Sequence, residues 1–138
     1  MKPDTGIAEV EVSAYDIPTP VPESDGAAEW KSTGLVVVEL SAADKKGLGY
    51  TYTDPGAARL VKDVLAEAVR GIDPFDTAAV HGAMVRAVRN HGRGGMAGMA
   101  ISAVDCARRV CRLRIDRISW GIRADGSRRI TRKRSLRI

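Results

Sequence analysis

Apolar and polar positions alternate with period two at the start of the chain, then recur every three to four residues, then keep neither rhythm. From Ile7 to Ile17 the alternation is weak. Val10, Val12 and Ala14 fall on one side and Glu9, Glu11 and Ser13 on the other, which predicts a half-buried strand. Pro18, Pro20 and Pro22 follow, then Asp25-Gly26. Proline has no N–H to give a ladder, so a long loop is expected here. Thr33 to Ala42 is aliphatic and β-branched, as a central strand is. Ala43 to Gly47 turns the chain. Leu48 to Thr53 then makes a third strand, on which Tyr50 and Tyr52, two apart, share a face. Three consecutive strands joined this way predict an antiparallel meander.

The period then changes. Asp54 can cap a helix and Pro55 suits its first position. Ala57, Leu60, Val61, Val64, Leu65, Ala68 and Val69 form one apolar stripe, and Gly71 stops it. Asp73-Pro74 repeats the device for a second helix, with Phe75, Ala78, Ala79, Val85 and Val88 turned inward and His91-Gly92 at its end. After the glycine-rich link Gly92–Gly95, the residues Met96, Met99, Ala100, Ala103, Val104 and Ala107 recur at helical spacing. Most are small, so this third helix is able to approach its neighbours closely. Strands first and helices after predict an α+β fold, a three-stranded antiparallel meander followed by a three-helix bundle.

Composition limits the core. The 138 residues suit one domain. They include only one Phe, two Trp and three Tyr, so the core must be built from Ala, Val, Leu, Ile and Met. No apolar run marks a secretory leader or reaches the ~20 residues of a membrane span, and a cytoplasmic chain without a membrane partner is expected. Cys106 and Cys111, five apart, fit neither a zinc knuckle nor a redox pair and read as two reduced thiols. His81 and His91 are too far apart to share a helical face as metal ligands. Gly92–Gly95 lacks the Lys-Ser/Thr of a phosphate loop and reads as a joint between helices. Asp105, inside an Ala-rich helix, reads as a buried or half-buried hydrogen-bond acceptor rather than an acid catalyst.

Charge divides the chain at Ala107. Residues 108–138 hold eleven Arg and one Lys against two Asp, a formal +10, whereas residues 1–107 hold ten basic and fifteen acidic side chains, a formal −5. Ile118, Trp120, Ile122 and Ala124 alternate, and Asp125-Gly126 is a turn signal, so a hairpin returning through Ile130 is conceivable. Arg132-Lys133-Arg134 is too charged to pack. The division expected is therefore a domain over 1–107 and an irregular, arginine-rich tail over 108–138. Reading a GC-rich gene out of frame from about codon 107 is an economical source of so much arginine. The alternative is a small basic protein whose tail binds nucleic acid or another polyanion. Against it, only Trp120 interleaves as a stacking aromatic, and no nucleic-acid-binding motif is present.

The order of elements and several short motifs resemble one family. The motifs are Asp16-Ile-Pro-Thr19, Pro22-Glu-Ser-Asp-Gly26, Trp30, Leu35-Val-Val-Val-Glu39, Gly47-Leu-Gly-Tyr-Thr-Tyr52, Val88-Arg-Asn90 and Ala100-Ile-Ser-Ala-Val-Asp105. Together they resemble the N-terminal capping domain of the mandelate racemase/muconate lactonizing enzyme branch of the enolase superfamily. The resemblance implies a two-domain enzyme. A barrel domain would supply a Lys or His that removes the proton α to a carboxylate, and three acidic residues holding Mg²⁺ against the developing enolate. The capping domain would supply two segments that close over the substrate. By position these are Ile17 to Trp30 and Gly47 to Asp54, which makes Pro20, Val21, Asp25, Trp30, Tyr50 and Tyr52 the candidate pocket residues. A stiff Pro-rich wall with tyrosine hydroxyls suits a hydroxy or polyhydroxy acid. Ordinary packing is the competing reading for both tyrosines and for Trp30. No barrel follows in this sequence and the family's helix continuation is replaced by Arg108-Arg-Val-Cys-Arg112. The expectation is a domain truncated before the barrel, with no catalytic residues and no cofactor of its own. Its partner would be a separate barrel or a second copy, through the exposed capping face.

Overall fold

A computed structural model of the protein describes residues 6–115, 119–122 and 128–131. Strands β1 (Ile7–Ser24), β2 (Glu29–Ala42) and β3 (Lys45–Tyr52) form an antiparallel sheet in the order β1-β2-β3. One unbroken helical stretch follows, made of α1 (Ala57–Leu60), a π-helical segment (Val61–Leu65) and α2 (Ala66–Val69). Then come α3 (Thr77–Ala87) and α4 (Met96–Ile115). Strands precede helices, so the α+β meander read from the periodicities stands. No helix among the described residues is long and apolar enough to cross a membrane.

The sheet has one covered face and one open face. Val36, Val38, Leu40 and Ala42 of β2 are fully buried beneath the helices, with Val61, Leu65, Val69, Met84 and Val104 packed against that side. No aromatic ring within residues 6–115 is buried. The opposite face carries Tyr15 and Ile17 of β1 and Leu48, Tyr50 and Tyr52 of β3, all exposed. The register sets these side by side, since Tyr15 pairs with Leu35 and Leu35 with Tyr52. Period-two alternation thus serves one buried and one open face.

Helix α4 reaches the sheet through glycine. Gly47 and Gly49 of β3 are buried, and a Cβ at either would fall on backbone of α4: at Gly47 on the Ala107 carbonyl and the Cys111 N–H, at Gly49 on the Ala103 carbonyl and the Ala107 N–H. Ala103, Ala107 and Cys111 recur every four residues and so line one helical ridge. Small residues on the helix meet absent side chains on the strand. The close approach expected of this helix is made to β3 rather than to another helix.

Several boundaries differ from the sequence reading. The Pro18–Gly26 segment is not a loop, because β1 runs on to Ser24. It pairs with β2 through Pro18–Ser32 and then Glu23–Trp30, with a register shift between the two rungs. β1 is an edge strand, where prolines without N–H groups are tolerated, and the irregularity takes up the extra residues. The turn after β2 shrinks to Ala43 and Asp44, both in the left-handed region at φ 47° and 58°, as two-residue hairpins require. The N-cap of α3 is Asp76, whose carboxylate accepts the Ala79 N–H at 2.9 Å, and not Asp73, which accepts the Phe75 N–H. Phe75, Ala78, Met96 and Met99 were expected inside but are exposed, the first at 40% and the methionines at 43% and 42%; Phe75 precedes α3, Met96 and Met99 lie in the first turn of α4, and α3 buries Val80 and Met84 instead.

The break in character at Ala107 is not a break in structure. α4 continues through Arg108 to Ile115, so the first residues of the segment expected to be irregular are helical. Arg108 is 1% exposed. Its Nη1 donates to the Pro74 carbonyl at 2.8 Å and its Nε and Nη2 to Asp105 Oδ1 at 3.0 and 2.8 Å. Arg109 donates to Asp105 Oδ2 at 2.7 Å. Burial works to raise the Asp105 carboxyl's pKa, but the two guanidinium groups outweigh it and hold the carboxyl below its ordinary value. Farther along, β4 (Ser119–Ile122) and β5 (Arg128–Thr131) pair antiparallel with Trp120 opposite Ile130, the return that alternation allowed. The Asp125-Gly126 turn and the Arg132–Arg134 run lie outside the described residues.

Two stability predictions follow from these contacts. Gly49→Ala is expected to cost about 3 kcal/mol in denaturant unfolding. Gly94→Ala, with nothing near its Cβ position, should stay within about 0.5 kcal/mol of the parent. Asp105→Asn is expected to cost about 2 kcal/mol at pH 7 through weakened charge-assisted bonds. The folded Asp105 pKa lies below its unfolded value, so its contribution is complete above about pH 4 and disappears as pH falls through the folded value. Unfolding measured from pH 7 to pH 2 should therefore show a flatter profile for the Asn variant.

Candidate functional site

β1 and β2 extend past the helices as a two-stranded arm. Its tip is an Asx turn in which Asp25 Oδ1 accepts the N–H groups of Ala27 and Ala28, each at 3.0 Å, while Gly26 takes φ 87°. These two N–H donors hold the Asp25 carboxyl below its ordinary pKa, the Ala27 bond most of all. Lower on the arm, Trp30 Nε1 donates to Glu23 Oε2 at 3.1 Å across the rung that pairs the two residues. The arm is therefore an ordered hairpin rather than a loose loop.

The third strand ends against the arm's base. The Thr53 N–H donates to the Gly34 carbonyl at 3.1 Å, and a Cβ at Gly34 would strike the Thr53 carbonyl. Asp54 then turns the chain into α1, with its Oδ1 accepting the Gly56 N–H at 2.7 Å and its carbonyl accepting the Ala57 N–H at 2.9 Å. The cap expected of Asp54 is thus an Asx turn one step before the helix.

An open cleft of about 580 Å³ lies between the arm and this turn, lined by Asp16, Trp30, Ser32, Thr33, Gly34, Tyr52, Thr53, Asp54 and Pro55. Of the candidate residues, Trp30 and Tyr52 meet here although far apart in sequence. Tyr50 does not line the cleft. It supports Tyr52 edge to face, with ring centroids 6.0 Å apart at 78°. Pro20, Val21 and Asp25 stand on the outer arm, beyond the lining. Asp16, Ser32 and Thr33 line the cleft from outside both segments that the sequence reading singled out. The signal was register: Asp16 pairs with Gly34, and Gly34 holds Thr53.

The lining offers hydroxyls from Ser32, Thr33, Tyr52 and Thr53, carboxylates from Asp16 and Asp54, and two aromatic rings. Groups of these kinds are able to bind and orient a ligand. Among the described residues no three His, Cys, Asp or Glu side chains come together to hold a metal ion. A second hollow of about 450 Å³, mostly apolar, lies between α1 and the start of α4 and takes in Arg59, Asp63, His91 and Gly94. Cys106 is exposed and Cys111 buried, and both thiols are free. Burial pushes the Cys111 thiol pKa up.

No protein-family model matches the sequence, and no curated protein matches it. Solved structures do. A mandelate racemase/muconate lactonizing enzyme-like protein from Rubrobacter xylanophilus is 44% identical over 80% of this chain, with a TM-score of 0.76. A racemase from Streptomyces coelicolor A3(2), solved with bound magnesium, is 31% identical over 80% of this chain, with a TM-score of 0.73. A member of the enolase superfamily from Agrobacterium tumefaciens is 29% identical over 75% of this chain, with a TM-score of 0.64. This chain spans about a third of each, 31%, 33% and 33% respectively.

The arm's order depends on its turn. Asp25→Ala should leave the global unfolding midpoint unchanged and speed amide exchange at Ala27 and Ala28, read by NMR; unchanged exchange there would mean that the carboxylate does not hold the tip.

Proposed function

We propose, from the premise that the chain belongs to the mandelate racemase/muconate lactonizing enzyme branch of the enolase superfamily, that residues 6–115 serve as a capping domain. In this reading the arm and the Gly47–Asp54 segment close over a substrate carboxylic acid and exclude water while a barrel acts on its α-carbon. The observation that carries the proposal is the meeting of Trp30 and Tyr52 in one cleft. Each comes from a different one of the two segments that the family places over its substrate.

The division of labour follows from the side chains available. Asp16, Ser32, Thr33, Tyr52 and Thr53 are suited to orient the part of the substrate remote from the reacting carbon. Mg²⁺, when bound in this family, stabilises the negative charge that forms on proton removal. In this reading the metal and the proton transfer belong to a barrel domain, as the family resemblance implies, and the chain alone is inactive. The exposed apolar residues of the open sheet face, with Tyr15, Ile17 and Leu48 among them, are the surface that a barrel or a second copy would cover. Arg108 and Arg109 are tied to Asp105 and Arg114 to the Lys46 carbonyl, which argues against a purely polyanion-binding role for the arginines past Ala107.

A chimera tests the capping role. Residues 6–107 replace the matching segment of the Streptomyces coelicolor racemase, and Mg²⁺-dependent racemisation is measured. The chimera should keep kcat within roughly tenfold of the parent, and Trp30→Ala within it should raise KM more than it lowers kcat. A folded chimera without racemase activity would overturn the capping role. Mg²⁺-dependent α-proton exchange catalysed by the present chain alone would overturn its assignment as inactive.

A further inference from the structure

We propose that the substrate group held in the arm cleft is a cation, an alkylammonium or quaternary ammonium. This rests on reading the cleft as a capping-domain wall and adds the charge of what it holds. The lining contains two carboxylates and no Lys, Arg or His. Asp54 commits Oδ1 to the Gly56 N–H. The Asp16 carboxylate takes part in no hydrogen bond or ion pair among the described residues. In the same wall stand the Trp30 indole and the Tyr52 ring, whose faces attract a cation at short range.

The arm strengthens the bias. Asp16, Glu23, Asp25 and Glu29 all lie on the arm, against a single base, Lys31. Glu23 is held on the Trp30 indole N–H at 3.1 Å, so negative charge stands beside the aromatic wall itself. Closing such a wall over an anionic group would bring like charges together out of water. Closing it over a neutral group would take the Asp16 charge out of water with at most a hydroxyl's hydrogen bond to offset it. A cation avoids both costs. The aromatic faces rather than the carboxylates alone determine its type, because an alkylated ammonium exposes a broad, weakly hydrated surface that stacks on rings. With the carboxylate end of the substrate at the metal, the expected substrate is a zwitterion with its cationic end toward the cap.

Three isosteric probes separate charge from shape on the full chain. Choline is cationic, 3,3-dimethylbutan-1-ol neutral and 3,3-dimethylbutyrate anionic. Trp30 fluorescence is followed at constant ionic strength in a Trp120→Phe background. Choline should bind at least roughly tenfold more tightly than the alcohol, and the butyrate most weakly. Asp16→Asn, a change at an exposed and unpartnered side chain, should bring choline to the level of the alcohol. Equal binding of the alcohol or butyrate, no response of Trp30 to choline in the folded chain, or full choline binding by Asp16→Asn would each overturn the proposal. Those outcomes leave the capping role intact, since the chimera is assayed on the racemase's own substrate.

Discussion

Everything in the fold is arranged around the close contact of α4 with β3. Two glycines on the strand let a helical ridge of Ala103, Ala107 and Cys111 come to backbone distance. At that separation the contacts are numerous, and each loses strength steeply with distance. Any side chain at Gly47 or Gly49 would lift the helix off the sheet and open a gap along the ridge. The aliphatic core depends on this approach. With no aromatic ring buried within residues 6–115, volume cannot be filled by large side chains and has to be removed by bringing backbones together.

The same contact explains why the chain's change in composition at Ala107 leaves the fold intact. A helix already docked by Ala103 and Ala107 carries its next turn in place, and position 108 falls inside the protein whatever occupies it. Arginine survives there because its fork finds acceptors in Asp105 and the Pro74 carbonyl. A buried guanidinium without them would cost several kcal/mol. The arrangement also ties α4 to the turn before α3, across which few other contacts run. Composition and architecture change at different residues, and only the first change was visible in the charge count.

What the sequence disclosed was periodicity, and it disclosed it well where one periodicity ruled. The aliphatic, β-branched strand over Thr33 to Ala42 and the helical stripe from Ala57 to Val69 lie where the residue pattern put them. Misreadings cluster where a local rule met a tertiary exception. Three prolines announced a loop, yet an edge strand has no need of their missing N–H groups. Phe75 and Met96 satisfied helical spacing, yet Phe75 precedes α3, Met96 is the first residue of α4, and both are exposed. Half of the cleft was legible for a related reason. Trp30 and Tyr52 stand out as aromatic residues, whereas Asp16, Ser32 and Thr53 become neighbours only through strand register, which residue types do not encode.

The position of the cleft follows from unequal lengths. β2 has fourteen residues, but α4 covers only its inner part, where Val36, Val38, Leu40 and Ala42 are buried. Beyond Gly34 the sheet has no helix to cover it. The main chain there must satisfy itself through the arm, and its side chains face solvent. That uncovered end presents polar groups on strands anchored by a tight core, and the cleft there is lined by carboxylates and by no basic side chain. Core and site are therefore consequences of a single boundary. Gly47 and Gly49 bring the helix in on one side of it. On the other side the glycine at 34 admits Thr53 in place of a helix, and so brings Tyr52 and Asp54 beside Asp16 and Trp30.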